Sequence, residues 1–408
     1  MSARELGVWL HGNHVAVLRA PRTGQVSCQY DRAVLDDLAL NTPLLSCSVP
    51  VRTGRQNAWA FVTGLLPEGQ HRQEMAALAG VTTFDLLGML DRFGRDVAGA
   101  VVVSAEDPPL RSAAIDPYTS DQLADAVREL DDHPLGLYDD SELSIAGLQD
   151  KMLLVADGDG WARPTHGYPS THILKVDDRT RRGLVRAEHA CLTLARHAGL
   201  AAASSQLLTV DDTECIVVSR FDRCIGGEGI VHRLHQEDAC QALGVDPEAN
   251  QRKAKYEAYG GPTLNAIAGL LDQWAVDGPA ELGALLAQVV FTVAIGNADA
   301  HGKNIALLHP DPGHITLAPL YDTVPTVLWP KLRPYAAMTI NGKADLRTID
   351  LDDVVAEAQR WALSPSWARS RAASIAERML AALHEDAVDV DTPALEVITA
   401  RLERLLRT

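Results

Sequence analysis

The chain has 408 residues, 47% of them apolar and 22% charged, a composition that provides ample core and excludes a disordered polymer. Its 37 basic residues against 54 acidic ones leave a net charge of −17, which disfavours direct binding of a polyanion such as DNA by the surface as a whole. The six cysteines form no C-x-x-C pair, the N-terminus lacks the apolar core of a signal peptide, and the longest apolar run, 282–295, falls short of the roughly 18 residues of a membrane span, so a cytoplasmic protein with reduced thiols and no membrane contact is expected.

Short apolar runs at Gly7 to Leu10, His14 to Arg19 and Val26 to Gln29 predict strands, and 58–65 and 83–90 predict helices, together an N-terminal α+β subdomain over residues 1–105. The Pro- and Asp-rich stretch from Glu106 to Ser120 marks a boundary, so 106–142 is read as a connector with one short helix capped at Ser120. From residue 143 the order is diagnostic. A polar loop, Ser144 to Lys151, leads into a strand from Met152 to Ala156. An Asp157-Gly158-Asp159-Gly160 turn, a strand at Trp161 and a strand from Thr171 to Val176 that carries Lys175 come next. The helix from Arg186 to His197 ends at Gly199, suited to a left-handed C-cap, and strands Ser205 to Val210 and Glu214 to Ser219 follow. Residues 143–222 thus read as a β-rich kinase small lobe and 223–408 as a mainly helical large lobe, an α+β, two-lobed, protein-kinase-like fold behind the N-terminal subdomain. Trp361, Trp367 and the leucines of 395–406 read as helical core.

The chemistry is concentrated in Asn297-Ala298-Asp299-Ala300-His301-Gly302-Lys303-Asn304, which sets Asp299 and Asn304 at the D-x-x-x-x-N spacing of protein-kinase catalytic loops. There an Asp accepts the proton of the attacking hydroxyl and an Asn holds magnesium against the nucleotide phosphates. A strand at 305–308, a Pro310-Asp311-Pro312-Gly313 turn and a strand at 315–320 form a hairpin that returns Asp322 as a second metal-binding carboxylate. Lys175 is either a fixed cation for the α/β-phosphates, with Glu188 thirteen positions later as its ion-pair partner, or a surface lysine at a strand edge. His301 and Lys303 sit inside this loop, where either can touch a phosphate during transfer; His301 is alternatively only a structural hydrogen-bonder. A zinc site from Asp299, His301, His309 and His314 is conceivable but leaves Asn304 and Asp322 without a role. The loop Ser144 to Lys151 has one glycine and matches no glycine-rich phosphate motif. It is a plain polar turn by composition, or a backbone nest around Gly147 with Gln149 and Lys151.

As a set, these segments resemble the HipA family, bacterial serine/threonine kinases that act as toxins of HipBA-type toxin–antitoxin modules. The residues that carry the resemblance are Ser144 to Lys151, Thr171 to Lys175, Ser219-Arg220-Phe221-Asp222-Arg223, His235-Gln236-Glu237-Asp238, Asn297 to Asn304 and Tyr321-Asp322. Leu65-Leu66-Pro67-Glu68-Gly69 and Gly94 to Ala100 resemble that family's N-terminal subdomain, so the likeness runs over nearly the whole chain. The resemblance implies a loop of Ser144, Ala146, Gly147, Gln149 and Lys151 over the phosphates of ATP, autophosphorylation at Ser144, and an adenine-facing hinge at Arg220 and Phe221. It further implies Asp299 as base, and Asn304 and Asp322 as Mg2+ ligands. It also implies a substrate in translation, such as an aminoacyl-tRNA synthetase, and a HipB-like DNA-binding antitoxin through which DNA is reached only indirectly. A pseudokinase co-repressor and a small-molecule kinase on the same scaffold are the alternatives.

Overall fold

The computed structural model describes residues 4–20, 25–107, 109–110, 112–131, 150–177, 182–329, 334–385 and 387–407. Strands β1 (Arg4–Leu10), β2 (Asn13–Ala20), β3 (Ser27–Tyr30), β4 (Gln56–Asn57) and β5 (Val101–Ser104) make an antiparallel sheet in the order β4-β3-β2-β1-β5. Four helices accompany it, α1 (Arg32–Asp37), α2 (Trp59–Gly64), α3 (Gly69–Leu78) and α4 (Leu86–Phe93). Apolar residues recur at strand and helix periods, so Leu6, Val8 and Leu18 meet Phe61, Leu87, Leu90 and Phe93 in one buried core.

The small lobe is a six-stranded sheet ordered β10-β11-β9-β7-β8-β6. Its elements are β6 (Ala114–Pro117), α5 (Ser120–Arg128), β7 (Lys151–Asp157), β8 (Gly160–Thr165), β9 (His172–Val176), α6 (Leu184–His197), β10 (Ser205–Val210) and β11 (Thr213–Ser219). Two details differ from the sequence reading. The stretch read as a connector supplies an edge strand, where Pro117 costs no ladder bond, and Ala126, Val127 and Leu130 pack on the sheet. The cap of α5 is Thr119, not Ser120, because the Thr119 and Gln122 side chains form a reciprocal capping box.

The large lobe opens with a hairpin of β12 (Arg223–Ile225) and β13 (Val231–Arg233), then β14 (His235–Asp238), α7 (Ala239–Ala242) and the short turn α8 (Ala249–Arg252). Helices α9 (Leu264–Trp274) and α10 (Gly278–Ile295), strands β15 (Ala306–His309), β16 (Thr316–Leu317), β17 (Tyr335–Ile340) and β18 (Lys343–Asp345), and helices α11 (Leu351–Arg360), α12 (Pro365–His384) and α13 (Thr392–Leu406) complete it. At 18 residues, α10 is long and apolar enough to cross a membrane, but it is 72% buried as the central helix of this lobe. The strand expected at 315–320 is shorter, because after Ala318, whose N–H still bonds the Ala306 carbonyl at 2.9 Å, the chain leaves β15 and Leu320 bridges to Ala202 in the small lobe. Trp361 is core, whereas Trp367 is 44% exposed and lies over Gly283 of α10.

The three parts meet at a buried ion cluster just beyond β11. Arg220 donates to both oxygens of Asp222 at 2.8 and 2.9 Å, and Arg223 donates to Asp96 at 2.9 Å and to the carbonyl of Gly99 at 2.8 Å. Asp222 accepts the Gly99 N–H at 2.7 Å, and Asp96 accepts that of Ser170 at 3.1 Å. Gly99 has φ +80°, and a Cβ there would fall 2.8 Å from the Gln236 nitrogen, so only glycine permits this approach. Replacing Asp96 with Ala leaves buried guanidinium groups without a counter-charge, and we expect a loss of about 3–5 kcal/mol. Denaturant unfolding followed by tryptophan fluorescence checks this; an unchanged midpoint would show that the cluster contributes nothing.

Candidate active site

Lys175 and Lys151 are directly opposed on the neighbouring strands β9 and β7, so both side chains project from one face of the sheet. Lys175 is bridged by two carboxylates, Glu188 Oε1 at 2.7 Å and Asp322 Oδ1 at 2.9 Å. Burial alone would discharge Lys175, but the charges of Asp322 and Glu188 outweigh it and hold the ammonium protonated well above its usual range. Lys175 in turn holds the Asp322 carboxyl far below the ordinary carboxylate value. Lys151, buried beside Lys175, is pushed down to about 8, first by burial and then by that neighbouring charge. Glu188 is aimed inward because α6 starts at a fixed place: Asp177 accepts the N–H groups of Gly183 at 2.6 Å and Val185 at 2.9 Å. The nest residues Ser144, Ala146, Gly147 and Gln149 lie outside the described residues.

Across the cleft, α10 ends at Gly296 in the left-handed region, and the loop from Asn297 to Asn304 folds on itself. Asn297 Oδ1 accepts the Asp299 N–H at 2.9 Å, and Asn304 Nδ2 donates to the Asp299 carbonyl at 2.9 Å. The second of these bonds turns the five-residue spacing into proximity. Asp299 keeps its side chain 53% exposed, with Oδ1 accepting the Tyr256 hydroxyl at 2.6 Å. Asn304, Asp322 and Asn297 line one cavity, so the hairpin of β15 and β16 does return Asp322 to the loop. Asp322 itself sits at φ +49°, a conformation that a short polar side chain tolerates.

Several sequence-predicted residues stand elsewhere. Lys303 is turned away from the cleft, its ammonium buried and 2.8 Å from Asp238 Oδ2; burial opposes its charge, but Asp238 and Glu68 keep it protonated. It is a loop anchor rather than a phosphate contact. His301 is buried, driven toward the neutral form chiefly by desolvation, with Nε2 4.0 Å from Asp299 Oδ1 and its ring edge-on to Tyr256. The Arg220 guanidinium is committed to Asp222, Ser170 and the Val97 carbonyl, so it does not face adenine. Phe221 lies next to Tyr321, ring centroids 5.2 Å apart. His309 is bonded to Glu237 at 3.0 Å, and among the described residues no group of three His, Cys, Asp or Glu side chains forms a metal cluster, so the zinc alternative is without support.

Three contributors escaped the sequence reading. Tyr256 touches the Asp299 carboxylate, Lys255 accepts the Gly302 N–H on its carbonyl at 3.1 Å, and Glu68 pairs with Lys255 at 2.7 Å. Glu237, which accepts from Ser46 and the Cys47 N–H, and Asp238, which caps α7, explain the His235-to-Asp238 motif as structure. The signal for Asp238 was readable in its capping-box spacing to Gln241. Nothing local announced Tyr256.

Comparison with known proteins places this geometry. Residues 6–104 match the HipA N-terminal domain and residues 143–387 the HipA-like C-terminal domain. A Sinorhizobium fredii protein described as a candidate kinase, Y4mE, is 37% identical over 362 residues, covering 86% of this chain and 84% of that protein. The serine/threonine-protein kinase toxin HipA of Shewanella oneidensis is 28% identical over 320 residues, covering 75% and 72%. A chain in the solved complex of Shewanella oneidensis HipA, HipB and operator DNA has the same fold, with a TM-score of 0.81 over 98% of this chain and 96% of that one at 24% identity. The chain belongs to the HipA family, with a HipA N-terminal domain set against a two-lobed, kinase-like HipA C-terminal domain.

Proposed function

We propose that this protein is an ATP- and magnesium-dependent serine/threonine protein kinase that phosphorylates another protein. The observation that carries the reading is Lys175 held between Glu188 and Asp322, over a loop in which Asn304 is bonded to the backbone of Asp299. Two lysines opposed on one sheet face repel each other, an arrangement suited to a polyphosphate lying between them. Asp322 and the Oδ1 of Asn304 are hard oxygen donors that fit magnesium completed by phosphate oxygens and water, which neutralises phosphate charge when bound. Asp299, with one oxygen engaged by Tyr256, takes the acceptor proton on the other while the acceptor oxygen bonds to the γ-phosphorus and the bond to the β-phosphate oxygen breaks, leaving ADP.

Relatives support the finer reading. Because the Shewanella protein is named a serine/threonine kinase toxin and has been solved with HipB and operator DNA, we assign this chain a like role as a toxin kinase. The complex with HipB supports a HipB-like antitoxin that restrains it; that it acts in the cytoplasm and arrests growth by phosphorylating a translation component such as an aminoacyl-tRNA synthetase is our proposal from the resemblance of its motifs. The charge of −17 fits DNA contact made through that antitoxin. Ser144, ahead of Lys151, is assigned as the autophosphorylation site, where a charge of about −1.5 to −2 would repel the ATP phosphates.

Replacing Asp299 with Asn should cut phosphoryl transfer by about 10²–10⁴-fold and leave nucleotide binding in place. Wild-type transfer rates in that variant would sink the base assignment. A second expectation concerns pH. Lys151 is charged below its pKa of about 8, and above it polyphosphate binding to the neutral amine must take up a proton. ATP affinity should therefore hold below that pH and fall by up to about tenfold per unit above it, with Lys151→Met weaker and lacking the decline. Nucleotide titration across this range decides, and a flat wild-type profile contradicts the role. For Ser144, mass spectrometry after incubation with ATP should find the phosphate, and the separated modified form should bind ATP more weakly; equal affinity of the two forms ends that assignment.

A further inference from the structure

The N-terminal domain reaches the catalytic loop through Glu68, the residue that precedes α3. Glu68 is 4% exposed, and its Oε2 accepts from Lys255 Nζ at 2.7 Å. Burial works against its charge, but the ammonium groups of Lys303 and Lys255 hold its carboxyl below the usual range. Lys255 and Tyr256 form a short strap along the catalytic loop. The Lys255 carbonyl accepts the Gly302 N–H at 3.1 Å, the Tyr256 ring stands edge-on to His301 at 5.2 Å, and the Tyr256 hydroxyl donates to Asp299 Oδ1 at 2.6 Å. Just upstream, Asn250, Gln251 and Arg252 have φ of +50°, +62° and +65°, three successive non-glycine residues in the left-handed region. Such a run is strained and persists only where its surroundings over-determine it, which makes the downstream anchor matter. Among the described residues Tyr256 is the only side chain hydrogen-bonded to the Asp299 carboxylate, since His301 stops at 4.0 Å.

We propose that Glu68, Lys255 and Tyr256 are positioning residues for phosphoryl transfer. The N-terminal domain fixes the strap through Glu68, and the strap fixes the rotamer of Asp299, so that one oxygen is held by Tyr256 and the other faces the acceptor hydroxyl. This rests on Asp299 being the base. A base whose orientation is set by a third group is the general arrangement of activated acceptors. The N-terminal domain is then part of the catalytic apparatus, and a ligand or partner that shifts the segment around Glu68 changes turnover without entering the nucleotide site.

The test uses the full chain with ATP and magnesium, reading self-phosphorylation in single turnover as total label incorporated, at saturating ATP and across an ATP series. Tyr256→Phe keeps the ring but removes the hydroxyl, and its rate constant should fall about 10- to 100-fold, the worth of a hydrogen bond to a charged group, while the ATP concentration at half-maximal rate changes less than about twofold. Glu68→Gln should show the same split. The double variant should be no slower than the slower single one, because both changes break one relay. If Glu68→Gln does not fold, Glu68→Gln with Lys255→Met removes both buried charges together and takes its place. Near-wild-type rates in Tyr256→Phe, or losses that multiply in the double variant, overturn the relay. Asp299→Asn in the same assay separates the two readings: activity there removes the base itself, whereas an inactive Asp299→Asn beside unimpaired Tyr256→Phe and Glu68→Gln removes only the relay. A wild-type chain that labels neither itself nor any protein of an added bacterial lysate overturns both.

Discussion

The structure depends on the buried ion cluster of Asp96, Arg220, Asp222 and Arg223, where the N-terminal domain, the small lobe and the large lobe come together. Each guanidinium there lies near 1–2% side-chain exposure, so neither is solvated and both need their carboxylates. The backbone takes part as well, since Ser170, Val97 and Gly99 all donate to or accept from the cluster. Such a site fixes directions more than it adds stability: guanidinium forks accept few geometries, so the exit of β11 and the start of the large lobe are held at one angle. The cleft between the lobes inherits that angle.

Within the cleft a second set of charges is arranged differently. Lys175 is shared between Glu188 from the small lobe and Asp322 from the large lobe, so a single ammonium links the two halves of the site. Glu188 is nearly fully buried while Asp322 keeps 45% of its side chain exposed, and the pair is therefore asymmetric. The buried partner sets where Lys175 sits, and the exposed one is the partner that an incoming cation can draw away.

Much of this was legible along the chain. The five-residue spacing of Asp299 and Asn304, the hairpin returning Asp322, and the thirteen-position offset from Lys175 to Glu188 are local periodicities of strand, turn and helix, and the structure brings these residues together. What failed was direction and distance. Lys303 lies in the loop from Asn297 to Asn304 but its side chain points to Asp238, 65 residues earlier, and Arg220 follows β11 but points into the ion cluster. Spacing gives a residue's place in the chain, not the face it presents when buried charges compete for partners. The contacts of Tyr256 and Glu68 were invisible for the same reason, because their partners are 43 and 187 residues away.

The contacts of the N-terminal domain span both lobes. Leu153 of β7 is buried in its core, Asp96 holds Ser170, and on the other side Trp59 donates to Asp246 and Ser46 to Glu237. A domain bonded to both jaws of a cleft acts as a brace, and it limits how far those jaws can separate. It also sets the unit in which the protein can be handled: the two-lobed half cut free would carry Lys255 and Arg223 stripped of Glu68 and Asp96, and would expose the apolar seat of Leu153 to water. A truncated two-lobed fragment would therefore be a different object, with a looser jaw and an adhesive face, and its behaviour would report on the missing brace.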